Sequence, residues 1–116
     1  MNKALNEMSL NELRALILVG EVNGMKEANE MEAKFEARGL GDCCGFGWVE
    51  LRGIKGNTKL GKKLKELGVK QNHHRNFYFW SKYPGQGMTC NEAWADGFAK
   101  VWEAHGFDCF RMSRMD

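Results

Sequence analysis

Leu10, Leu13, Leu16 and Ile17 share one face of a 3.6-residue repeat, with Glu12 and Arg14 between them. That spacing predicts an amphipathic helix. Ser9 followed by Glu12 is a capping-box pattern and predicts its start, each side chain satisfying the other's free backbone donor. Asn23-Gly24 predicts its end. A second helix is expected from Met25 to Arg38, where Met25, Ala28, Met31 and Phe35 form a narrow apolar stripe. Gly39 stands where a left-handed cap is needed.

The pattern then changes. After the turn residues 41–45, the segment CGFGWVELRG reads as a strand, with Phe46, Trp48 and Val49 at its heart. Its glycines suit close approach of another backbone. Asn57 or Thr58 opens the next helix, which turns Leu60, Leu64 and Leu67 to one side and ends at Gly68. Gly61 falls on that apolar side, and packing of the helix against a sheet is the expected compensation for a mid-helix glycine. NFYFWSKY is a second strand. Thr89 with Glu92 predicts a capped helix running to about His105, with Phe98, Ala99, Val101 and Trp102 inward. FDCFRM, residues 107–112, is a third strand.

The expected fold class is α+β in one domain of 116 residues: two N-terminal helices, then β-α-β-α-β, forming a small sheet of about three strands packed by helices. Both crossovers are long enough for parallel strands, and spacing leaves the strand order open. Residues 1–42 form an acidic helical segment and residues 43–116 the α/β core. Thirteen aromatics and 43% hydrophobic content exclude a disordered chain. The longest early apolar run, residues 15–19, is too short for a membrane span, and Glu12 and Arg14 before it oppose a signal peptide. A soluble cytoplasmic protein with reduced cysteines is therefore expected.

Net charge is only +2, but it is unevenly distributed. Residues 1–42 carry five basic and eight acidic groups, whereas residues 52–75 carry eight basic groups against Glu66 alone. Such asymmetry steers an anionic partner. The residues placed for partner or nucleic-acid contact are Lys55, Lys59, Lys62, Lys63, Lys65, Lys70 and Arg75, with the aromatics 77–80 nearby for base stacking. The plainer alternative is a solvated lysine face, filled by lysines because leucines fill the other side.

Candidate chemistry is sparse. Cys43, Cys44, His73, His74, Cys90 and Cys109 include the ligand types of a zinc site, but no Cys-x-x-Cys or His-x-x-x-His spacing joins them. No metal and no cofactor are expected. Cys90 near a helix start is the one candidate nucleophile, with His73, His74 or His105 as base, and no enzyme signature surrounds it. Residues 84–89 lack both the P-loop core and the Gly-x-Gly-x-x-Gly fingerprint. The chain is expected to bind rather than catalyse.

Cys44-Gly45-Phe46-Gly47-Trp48-Val49, the run Lys55-Gly56-Asn57-Thr58-Lys59-Leu60-Gly61-Lys62, and the ending Ser113-Arg114-Met115-Asp116 resemble a group of small accessory proteins of tailed bacteriophages. In that group the first motif more often has alanine where this chain has Gly47. The resemblance spans roughly residues 43–116. It implies a phage protein acting in the cytoplasm of an infected bacterium, and it brings no reaction, cofactor or catalytic residue. The function expected on this basis is binding and modulation or inhibition of a bacterial host protein, as in counter-defence. The alternatives are nucleic-acid binding by the basic 52–75 face and, with less support, a Cys90-dependent enzyme. The Met-rich N-terminal helices could also mediate a homodimer.

Overall fold

The computed structural model describes residues 3–116. Its elements are α1 (Lys3–Asn6), α2 (Leu10–Arg38), β1 (Gly45–Leu51), α3 (Lys59–Glu66), β2 (Lys70–Gln71), β3 (Phe77–Trp80), α4 (Met88–Glu103) and β4 (Cys109–Met115). The sheet has four strands in the order β2-β3-β1-β4, and every neighbouring pair is antiparallel. From β1 onward the connectivity is β-α-β-β-α-β, the split β-α-β arrangement. No helix of the described residues is long and apolar enough to cross a membrane.

The α+β class is as expected, and three details of the expected arrangement are corrected. First, the two N-terminal helices are one helix of 29 residues, α2. The capping box at Ser9 and Glu12 opens it, and Gly39 closes it at φ 65°. Asn23-Gly24 does not break it because both residues serve the contact with α4. A Cβ on Gly24 would stand 2.8 Å from the Trp94 indole nitrogen, and Asn23 Nδ2 donates to the Gly97 carbonyl at 2.7 Å. Second, a fourth strand, β2, pairs Lys70 with Tyr78 and Gln71 with Phe77. Two polar residues carry no alternating pattern from which to read it. Third, Thr89 and Glu92 form no capping box. The N-cap of α4 is Gly87, and Asp42 supplies the capping carboxylate from outside: its Oδ2 accepts from Thr89 N at 2.9 Å and Cys90 N at 3.2 Å.

The core lies between the helices and one sheet face. On α4, Trp94, Phe98 and Trp102 recur every fourth residue and stack with centroids 5.0 and 5.5 Å apart. Phe79 of β3 packs on Phe98 and Trp102. Leu13, Leu16 and Ala28 of α2 join the same cluster, as do Leu60 and Leu64 of α3. The expected inward side of α4 therefore holds for Phe98, Ala99 and Trp102, with Val101 half-buried at its border.

Glycine sets two close approaches. A Cβ on Gly47 would lie 2.6 Å from the Asn91 carbonyl oxygen, so α4 presses directly on β1. A Cβ on Gly61 would lie 2.2 Å from the Lys55 carbonyl oxygen. Gly61 thus packs α3 on the loop preceding it, rather than on the sheet as expected.

Candidate functional site: a basic groove beside an open sheet face

Strand alternation decides which aromatics are free. On β1, Val49 and Leu51 turn to the core, and Phe46, Trp48 and Glu50 turn away. On β3, Phe77 and Phe79 face inward, so Tyr78 and Trp80 face out beside them. On β4, Cys109 is buried, and Arg111 and Ser113 bond to Asp96, Glu103 and Glu92 of α4. Phe110, Met112 and Arg114 therefore share the outer face. That face is open: Phe46, Trp80 and Phe110 are 38%, 47% and 42% exposed. Phe46, Trp48 and Val49 lie in the strand expected of them, and alternation puts Phe46 and Trp48 on this outer side and Val49 in the core.

At one end of this face lies a groove of about 770 Å³. Lys55 of the loop after β1, Lys65 of α3, and His74 and Arg75 of the β2–β3 turn contribute its basic lining. The turn is closed by its own hydrogen bonds. Asn72 Oδ1 accepts from His74 N at 2.9 Å and Asn76 N at 3.0 Å. Gln71 Nε2 donates to the Arg75 carbonyl at 3.0 Å, and Arg75 sits at φ 64°. His73, His74 and Arg75 are exposed at its tip.

Glu50 couples groove to sheet. Burial acts first, to raise its pKa. Hydrogen bonds from Trp48, Asn76 and Asn72 outweigh burial and hold the carboxyl below its ordinary value. Trp48 Nε1 donates at 3.0 Å and Asn76 Nδ2 at 3.1 Å. The carboxylate is thereby fixed and shielded, with 6% of the residue exposed.

The seven residues singled out from the sequence separate into three groups. Lys55, Lys65 and Arg75 converge on the groove. Lys59, Lys62 and Lys70 are exposed outside its lining. Lys63 is a structural tie: its Nζ donates to the Asn6 carbonyl at 2.9 Å and the Met8 carbonyl at 2.6 Å, fixing α1 to α3. Among the described residues none of the seven joins an ion pair. Lys82, Lys100 and Arg111 elsewhere all do.

The metal-type residues are scattered. Among the described residues no three His, Cys, Asp or Glu side chains come together in a cluster able to hold a metal. His73 and His74 pack on each other, 4.0 Å between centroids, on the exposed turn. Cys43 and Cys44 are exposed, and Cys90 and Cys109 are buried. Burial pushes the Cys90 thiol up, and Asp42 and Glu32 push it the same way; a hydrogen bond from Tyr83 opposes them. The environment therefore disfavours the thiolate that a nucleophile needs. Burial also pushes Cys109 up, to about 12.

Sequence reasoning missed Asn91, which is buried and donates to the carbonyls of Gly87, Gly85 and Gly45. It ties the 84–88 loop to β1. The sequence signal for it is helical spacing: Asn91 stands three residues before Trp94 and seven before Phe98, on the same side of the helix. Comparisons with family models, with curated proteins and with solved structures gave no match.

Proposed function

We propose that the protein is a non-enzymatic binding protein whose basic 52–75 surface takes the phosphates of a nucleic acid. One observation carries this reading. The groove gathers Lys55, Lys65 and Arg75, and no carboxylate pairs with them among the described residues. Their charge is left for an outside anion. Neutralising phosphates releases counterions, so affinity falls steeply with salt.

The test is fluorescence anisotropy with labelled DNA and RNA at low and physiological salt. Wild type should bind with a steep salt dependence. Lys55→Glu, Lys65→Glu and Arg75→Glu together should abolish binding while the circular dichroism spectrum is kept. Unchanged affinity in the triple variant would refute the assignment of the groove.

A second reading gives the protein a bacterial host protein as partner, in line with the resemblance to phage accessory proteins. It is favoured by α2, where Leu18, Val19 and Val22 are exposed within little more than one turn, Val22 at 71%. A host protein retained from lysate by wild type and by the groove triple variant, but lost on Leu18→Glu with Val22→Glu, would support it. Equal retention by all variants would remove it. The same stripe is where a homodimer would close, and sedimentation of wild type against the α2 double variant reads that directly.

A further inference from the structure

Phosphate contact in the groove leaves the adjoining sheet face unexplained. That face carries five aromatic rings. Trp80 is their hub, with centroids 5.0 Å from Trp48, 6.0 Å from Phe46 and 6.4 Å from Tyr78. The contacts with Phe46 and Tyr78 are edge-on, at 77° and 85°. The rings thus hold one another in place while Trp80 remains 47% exposed. Phe110 stands further along, opposite Glu50.

Arginine is interleaved with these rings. The Arg52 guanidinium lies 3.6 Å from the Phe110 centroid, and that of Arg114 lies 5.5 Å from the Phe46 centroid. Lys70 is directly opposite Tyr78 on the neighbouring strand. Glu50, the one carboxylate in the middle of the face, is bonded to Trp48 and Asn76 and shielded. Asp116 lines the small cavity beside Phe46 and Trp80; Glu21, which lines a depression with Tyr78 and Trp80, is paired with Lys82, and Asp108 lines a cavity with Arg52 at the far end. The end opposite Asp116 meets the basic groove through Asn76, which lines the groove and bonds Glu50. No described segment of the chain remains to cover the face.

An apolar protein partner would have to bury the two arginines of this face. A ligand with both π faces and anionic links matches rings and arginines together. Duplex bases have no free faces to offer, whereas single strands do. The geometry points to the open face as a stacking platform for a single-stranded nucleic acid. Bases lie on Trp80, Phe46 and Phe110, and the backbone leads past Lys70 into the groove of Lys55, Lys65 and Arg75. This rests on the groove being a phosphate site. From Phe46 to Arg52 the face spans six residue steps, about 20 Å, and platforms of this type stack two or three bases.

The experiment uses the full chain, a labelled mixed-sequence single strand as DNA and as RNA, and the matching blunt duplex. The single strand should bind at least tenfold more tightly than the duplex. It should quench part of the tryptophan emission, since Trp48 and Trp80 are on the face while Trp94 and Trp102 are buried. Trp80→Ala should weaken single-strand binding about tenfold, the usual scale for loss of one base–aromatic stack, and Trp80→Phe should restore most of it. Duplex binding should be unaffected by either. Phe46→Ala is a second, independent variant on the same face. If single strand and duplex bind alike and neither aromatic variant changes affinity, while the groove triple variant abolishes it, the platform is wrong and the groove reading stands. If neither nucleic acid binds at low salt, both are wrong and the face belongs to another kind of partner.

Discussion

The side-chain amide of Asn23, in the middle of α2, donates to the main-chain carbonyl of Gly97 in α4 at 2.7 Å. The two helices are locked there at backbone distance. A Cβ on Gly97 would come within 2.6 Å of the Asn23 carbonyl oxygen, and one on Gly24 within 2.9 Å of the Trp94 carbonyl oxygen. Glycine here permits contact, and the helix propensity it forfeits, about 1 kcal/mol, is recovered in packing.

Gly97→Ala should therefore destabilise despite alanine's better propensity. Backbone cannot yield as a side chain tip can, so a cost of about 1–3 kcal/mol is expected. Asn23→Ala should cost about 1 kcal/mol, the loss of one hydrogen bond. Urea unfolding reads both. A stabilised Gly97→Ala would show that the helices do not meet as described.

Lys62 and Lys63 are neighbours in a lysine-rich helix and should behave differently. Lys63 bonds two carbonyl oxygens from the α1 end, whereas Lys62 is exposed. Lys63→Ala should cost about 1–2 kcal/mol and raise hydrogen exchange in α1. Lys62→Ala should remain within about 0.5 kcal/mol of wild type. Equal effects would mean that Lys63 is ordinary surface.

Asp42 caps a helix 46 residues further along the chain. Asp42→Ala should lower stability by about 1 kcal/mol and loosen the first turn of α4. Thr89→Ala removes no capping bond and should be nearly silent. The pair of melting curves decides between the two possible caps, and the reverse order of effects would restore the capping box expected from sequence.

Glu50 should give acid sensitivity. Its folded pKa lies below the ordinary 4.5. Its contribution to stability is complete above that value and is lost as pH falls from 4.5 through the lower folded value, because the unfolded chain takes up the proton first. Glu50→Gln should flatten the urea-midpoint profile below pH 4.5. Some slope should persist, since Asp96 and Glu103 are also held low against Lys100 and Arg111. An unchanged profile in the variant would mean that Trp48 and Asn76 do not hold a charged carboxylate.

Local signals were legible where chemistry is local. Ser9 and Glu12, Thr58 and Gly39 each act on backbone within a few residues, and each does in the fold what its sequence position implied. The apolar spacing of Leu60 and Leu64 likewise named their side correctly. The basic stretch was legible as charge. Its division into groove residues, outlying lysines and the tie made by Lys63 was not, because that depends on where the α1 end and the β2–β3 turn come to rest.

The sequence by itself determined the helix faces, the caps made by neighbouring residues, the class of the fold and the concentration of positive charge in residues 52–75. These follow from periodicity and from bonds that close within one turn. Only the tertiary structure decided that Asn23-Gly24 continues a helix, that Asp42 caps α4, that the sheet is antiparallel, and that Phe46, Trp48 and Trp80 share an open face beside the groove. Each depends on a partner far away in the chain, and long-range pairing is chosen by the packing of the whole core rather than by the residues that carry it.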